Sequence, residues 1–133
     1  MAYIKENFQE IELEKDTIIV SETDKKGKII YANDDFCKIS GFSKDELIGK
    51  PHNIVRHPDM PKAAFKDLWQ TIQDGKIWQG IVKNLAKDGS YYWVHAKVYP
   101  SKDHKGDTRY ISVRVRPTQD EIKNAASLYE RLN

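Results

Sequence analysis

The chain has 133 residues, a formal net charge of +2 and 32% charged residues. That length suits one domain with a core that needs no disulfides, and near-balanced charge argues against a dedicated nucleic-acid surface. Cys37 is the single cysteine, so an internal disulfide and a multi-cysteine zinc site are excluded. A reducing, cytoplasmic setting is expected. No apolar run approaches the roughly 20 residues that span a bilayer, so no direct membrane insertion is expected. The opening residues MAYIKENFQE lack a signal-peptide core.

In chain order, Thr17–Ser21 is short and β-branched and reads as a strand. Asp24–Gly27 is a turn, and Lys28–Ala32 is its hairpin partner. Asn33 or Asp34 caps a short helix through Phe36 and Ile39 that stops near Gly41. Ser43 and Glu46 have capping-box spacing and start a second short helix, ended by Gly49-Lys50-Pro51. The polar, proline-rich loop Pro51–Phe65 follows. It overlaps the start of a longer helix, about Lys62 to Asp74, whose apolar stripe is Phe65, Leu68, Trp69 and Ile72.

Trp78–Leu85 reads as a strand, Lys87-Asp88-Gly89 as a hairpin turn, and Tyr91–Tyr99 as a long strand. After a polar turn, Thr108–Arg116 is the last strand, and Pro117 breaks the ladder. Thr118–Leu132 is an amphipathic helix with Ile122, Ala125, Ala126, Leu128, Tyr129 and Leu132 as its packing stripe. The pattern is an α+β domain: a five-stranded antiparallel sheet with short helices gathered on one face, then a C-terminal helix. Residues 1–16 form an N-terminal cap segment, 17–117 the domain and 118–133 the closing helix. A pocket between sheet and helices is expected.

His52, His57 and Asp59 lack a fourth metal ligand at a recognised spacing, so a metal site is not expected. Ligation of a heme by one histidine stays open. No serine or cysteine elbow accompanies His57-Pro58-Asp59, so an enzyme is not expected. The same tripeptide occurs in J-domain cochaperones between two helices, whereas strands flank it here.

The element order resembles the PAS sensor fold. "GKIIYANDDFCKISGFSKDELIGK" is similar to the opening of a PAS domain, "KNLAKDGSYYWV" to its central hairpin and "RYISVRVRPT" to its last strand. "GKPHNIVRHPDMPKAAF" and "WQGIVKN" resemble, more narrowly, the FAD-binding PAS domain of Aer-type aerotaxis and energy-taxis transducers. That resemblance implies a bacterial sensor that binds FAD non-covalently and reports redox, oxygen or energy state. Its partner is then a membrane-bound, chemoreceptor-like or HAMP-containing signalling protein, or a downstream region of the same protein. A homodimer is a further expectation. The rival readings are a cofactor-free interaction module and a heme gas sensor.

The resemblance also implies site residues. Arg56 and His57 donate to the pyrophosphate, with Arg able to do so bidentately, and Asp59 either orients His57 or accepts from a ribose hydroxyl. Phe65 belongs to the same site, Trp78 lies over or beside the ring system, and Asn84 offers a donor and an acceptor to its pyrimidine edge. Tyr92 and Val94, with Ala96 and Val98, form the pocket face of their strand. Arg114 stands where the light-sensing branch carries a glutamine, and Val94 where it carries an asparagine. Asn33 either caps its helix or closes the pocket. His52 takes the place of the photochemical cysteine, so no covalent flavin adduct is expected. Cys37 is expected as a small buried residue.

Overall fold

A computed structural model describes residues 6–133. Residues 1–5 of the expected N-terminal cap segment lie outside that range. Two strands, β1 (Ile19–Asp24) and β2 (Ile29–Ala32), form the first hairpin. Three helices follow: α1 (Asp34–Ser40), α2 (Lys44–Leu47) and, after a 3-10 turn at His52–Val55, α3 (Lys62–Gln73). The meander β3 (Trp78–Leu85), β4 (Tyr91–Lys102) and β5 (Thr108–Val115) leads into α4 (Gln119–Leu132). The sheet order is β2-β1-β5-β4-β3, so the first and last strands meet at its centre.

Local chemistry explains most boundaries. Ser43 Oγ accepts from Glu46 N while Glu46 accepts from Ser43 N, the reciprocal capping box that starts α2. Thr118 and Glu121 do the same for α4. Gly41 ends α1 at φ +78°, a conformation that costs glycine little. β4 extends past its expected end at Tyr99 to Lys102. Pro100 is tolerated within it, opposite Tyr110.

The two sheet faces differ. Phe36, Leu47 and Ile72 from α1, α2 and α3 pack on one face with Ile19, Ile29, Val94 and Val98. The C-terminal helix takes the other face. His95, which alternates with Val94 and Ala96, meets Glu121 of α4 at 3.2 Å, and Tyr129 donates to the Ile81 carbonyl. The N-terminal segment flanks the start of β4, where Ile11 N donates to Tyr91 O and Tyr91 N to Gln9 O, both at 2.8 Å. Among the described residues no helix is long and apolar enough to cross a membrane.

Candidate functional site

Between the helices and the inner sheet face lies a cavity of about 250 Å³. Alternation along the strands supplies its floor: Trp78, Val82 and Asn84 from β3, Val94, Ala96 and Val98 from β4, and Tyr110, Ser112 and Arg114 from β5. The α3 stripe Phe65, Leu68, Trp69 and Ile72 forms the roof. His52, Val55 and Arg56 close the side formed by the loop. The hairpin turn also approaches: at Gly27, φ +87°, an added Cβ would stand 3.1 Å from the Trp69 ring.

The charge of the lining is one-sided. Among the described residues, Lys26, Arg56 and Arg114 line the cavity and no carboxylate does. Lys26 is exposed, and the Arg56 guanidinium sits 3.6 Å from the centroid of the Phe65 ring, so these two mark the mouth.

Arg114 stands at the buried end, 2% exposed. Its Nη2 donates to Ser21 Oγ at 2.6 Å and its Nη1 to His52 Nε2 at 3.3 Å, while its Nε has no partner among the described residues. The guanidinium also lies 4.5 Å from the centroid of Phe36. Burial pulls its pKa down to about 10, which leaves it charged at neutral pH. A buried cation without a carboxylate is costly.

Because arginine only donates, His52 Nε2 must be an acceptor, and Ser21 Oγ, 2.9 Å away, donates to it. The His52 ring also stacks on Phe36, with centroids 5.8 Å apart. Although His52 as a residue is half-buried, this ring is enclosed. Burial, then the Arg114 charge, lowers its pKa to about 3.

That shift has a definite sign. The unfolded chain takes up a proton near pH 6.5 that folded His52 refuses until about pH 3. Stability from neutral His52 is complete above the unfolded value and is lost as pH falls, by up to about 1.4 kcal/mol per pH unit. Between pH 6.5 and about 5, the wild type should therefore lose about 1–2 kcal/mol more than His52→Gln in denaturant titrations. Parallel pH profiles would contradict this.

Two further lining groups have fixed settings. Trp78 Nε1 donates to Asp67 Oδ2 of α3 at 2.9 Å, which pins the indole at the cavity edge. Its ring covers Gly80, where an added Cβ would come within 2.5 Å of it. Asn84 is buried and lines the cavity. Opposite it in register is Tyr92, whose fully buried hydroxyl has no hydrogen-bond partner among the described residues. Burial pushes that hydroxyl up to about 12, with the Arg114 charge pulling the other way.

Of the residues expected at the site, His52, Arg56, Phe65, Trp78, Asn84, Val94 and Arg114 line one cavity. Arg114 points inward. Four others do not line it. Asn33 is a cap: its Oδ1 accepts from Phe36 N and Val20 N, and its Nδ2 donates to Ile18 O, so its amide is spent joining α1 to β1. Tyr92 shares the inward face but is packed into the core beyond the cavity. His57 is fully buried on the opposite side of the loop and is bonded to Glu6 Oε1 at 2.6 Å. Asp59 pairs with Lys83 at 3.0 Å, and its backbone N donates to His57 Nδ1 at 2.9 Å, with its carboxylate 3.7 Å from the same nitrogen. Arg56 lies outside any strand, at φ −72° and ψ 126°, and its side chain and that of His57 leave the backbone in different directions. Cys37 is half-buried against the core.

Ser21, Lys26 and Asp67 were not anticipated. The signal for Ser21 was its place two residues after Ile19, on the same face of the strand. Lys26 reads only as a turn residue, and nothing in the sequence singles out Asp67. Among the described residues no three or more His, Cys, Asp or Glu side chains gather in a metal-binding group.

A family model described as "PAS fold" matches residues 29–122. The chain is 47% identical over 125 residues, 94% of its length, to the aerotaxis receptor of Escherichia coli K12, of which it covers 25%. It is 28% identical over 90% of its length to the nitrogen fixation regulatory protein of Klebsiella pneumoniae, covering 23% of that protein. The chain thus spans about a quarter of these curated relatives. Among solved structures, one titled "Flavin Analogue Sheds Light on Light-Oxygen-Voltage Domain Mechanism" superposes with a TM-score of 0.69 at 21% identity, covering 87% of each chain. The dark structure of the blue-light photoreceptor Aureochrome1 LOV also scores 0.69, at 23% identity, with 85% of this chain and 82% of that one covered.

Proposed function

The chain belongs to the PAS fold family, and from that premise we propose that it is a cytoplasmic sensor module that binds FAD non-covalently and reports redox or energy state. The observation that carries this reading is the cavity's lining: among the described residues, three cations, no carboxylate and otherwise mostly apolar walls. Such a lining suits a flat, uncharged ring system with an anionic tail. The volume, about 250 Å³, falls below the roughly 300–1,000 Å³ of pockets that enclose whole drug-sized ligands. A ring system fits inside, and the rest of a dinucleotide leaves by the mouth.

Each residue then has a role. Trp78, Val82, Val94, Ala96 and Leu68 exclude water from the ring. Asn84 and the free Nε of Arg114 answer its polar edge. Arg56 and Lys26 hold phosphate oxygens at the mouth. FAD, when bound, supplies the electron transfer that these side chains lack. Arg114 favours any negative charge that arrives at the inner end. Its hold on Ser21 and His52 joins that end to β1 and to the loop, so a change in charge there redistributes hydrogen bonds across the sheet centre. The 47% identity to an aerotaxis receptor supports a taxis output. We assign that output to a downstream region or to a membrane-bound, chemoreceptor-like partner.

Heme fits less well. The Nε2 of His52 is shared by Ser21 and Arg114, and both ring nitrogens of His57 are bonded. An absorption spectrum of the purified chain after incubation with FAD discriminates the readings. Flavin bands that persist through gel filtration are expected. A colourless protein, or a Soret band, would contradict the proposal.

A further inference from the structure

His57, set aside from the cavity, has a second set of contacts. Its ring is 0% exposed. The Asp59 N–H donates to Nδ1, so Nε2 carries the proton and donates it to the Glu6 carboxylate at 2.6 Å. The ring meets Tyr91 edge-on, with centroids 6.3 Å apart. Tyr91 is the residue whose backbone holds the N-terminal segment, through Gln9 O and Ile11 N. Glu6 and residues 9–11 are therefore fastened to a patch made of His57 and Tyr91, while Asn7 between them is held by the adjoining turn, through Gly89 O at 2.9 Å, Asp88 O at 3.0 Å and Ser90 Oγ at 3.3 Å.

The same loop touches other elements. The carboxylate of Asp59 pairs with Lys83 on β3, and its carbonyl accepts from Asn133 Nδ2, just past α4, at 2.7 Å. One residue before His57, Arg56 reaches the cavity mouth, and its backbone bridges to Asn84. The loop thus has one face on the cavity and the other on the N-terminal segment.

We propose that Glu6 and His57 form a latch that holds residues 6–11 on the start of β4, and that the position of Arg56 at the cavity mouth controls how firmly it is closed. The lever is short. A ligand that fixes Arg56 fixes the backbone of His57, and a fixed His57 keeps its Nε2 on Glu6. A ligand that releases Arg56 lets the imidazole leave its slot and frees the segment. The coupling to ligand rests on the FAD reading, whereas the latch itself rests on the protein's own contacts.

Amide hydrogen exchange by NMR tests both parts, on wild type and Glu6→Ala, each with and without FAD. In ligand-free Glu6→Ala, the Ile11 and Tyr91 amides should exchange about tenfold faster or more, while those of Val94 and Ala96 keep wild-type rates. FAD should slow the Ile11 and Tyr91 amides in the wild type and leave them unchanged in Glu6→Ala. Rates within about twofold of wild type in Glu6→Ala overturn the latch. An FAD-bound wild type whose Ile11 and Tyr91 rates equal or exceed those without ligand overturns the coupling. If the wild type takes up no FAD, the cofactor reading fails, and the ligand-free comparison still decides the latch.

Discussion

Arg114→Met should leave the ligand-free protein as stable or more stable, and should weaken FAD binding by about tenfold to a hundredfold. The two effects have opposite signs because Arg114 is poorly compensated by the protein itself. It is 2% exposed, and among the described residues its Nε has no partner and no carboxylate pairs with it. Methionine has a similar reach and no charge to desolvate. Exchanges of buried ionic groups for well-packed apolar ones are neutral to stabilising, by up to about 4 kcal/mol.

The losses on the protein side are modest. Ser21 and His52 keep their own hydrogen bond at 2.9 Å. The cation over Phe36 is forgone, at about 0.5–2 kcal/mol. On the ligand side, a charged donor facing a buried acceptor contributes about 1.5–3 kcal/mol, which is the source of the expected affinity loss. Urea titration of the ligand-free proteins and fluorescence titration with FAD measure the two quantities. A variant destabilised by more than about 2 kcal/mol, or one with unchanged FAD affinity, would contradict the role given to Arg114.

Gly80→Ala should impair both folding and ligand uptake. The added methyl would stand 2.5 Å from one Trp78 ring carbon and 2.6 Å from another, far inside van der Waals contact. A loose side chain would swing away. Trp78 is held from the far side by Asp67 at 2.9 Å, so it must either break that bond or move into the cavity. Overpacking of this kind costs about 1–3 kcal/mol. A ring displaced into a 250 Å³ cavity also occupies ligand space. Chemical denaturation and FAD retention on gel filtration follow the two effects. Stability within about 0.5 kcal/mol of wild type together with full retention would show that the indole is free to move.

The architecture was legible where side-chain chemistry acts within a few residues. Ser43 with Glu46 marked α2, and the run of Tyr92, Val94, Ala96 and Val98 identified the inner face of β4. The family resemblance then pointed to Trp78, Asn84 and Arg114, and all three line the cavity.

The loop was harder. Arg56, His57 and Asp59 lie within four residues, yet only Arg56 reaches the cavity. Outside a regular strand, nothing local says which of two neighbouring side chains faces in. The deciding partners are Glu6, 51 positions away from His57, and Lys83, 24 away from Asp59. Asn33 was open between cap and pocket because an asparagine suits both. Only the positions of Ile18 and Val20 across the hairpin decide for the cap. The charge asymmetry of the lining was hidden as well, since Lys26, Arg56 and Arg114 are far apart in a chain whose total charge is nearly balanced.

The central claim is that the cavity takes a flavin ring while the cations at its mouth hold an anionic tail. Parallel fluorescence titrations of the ligand-free chain with FAD and with riboflavin, which lacks phosphate, test it most directly. FAD should bind at least about tenfold more tightly than riboflavin, and the difference should shrink as salt screens Arg56 and Lys26. Failure to bind FAD, or equal affinity for the two ligands, would contradict the account.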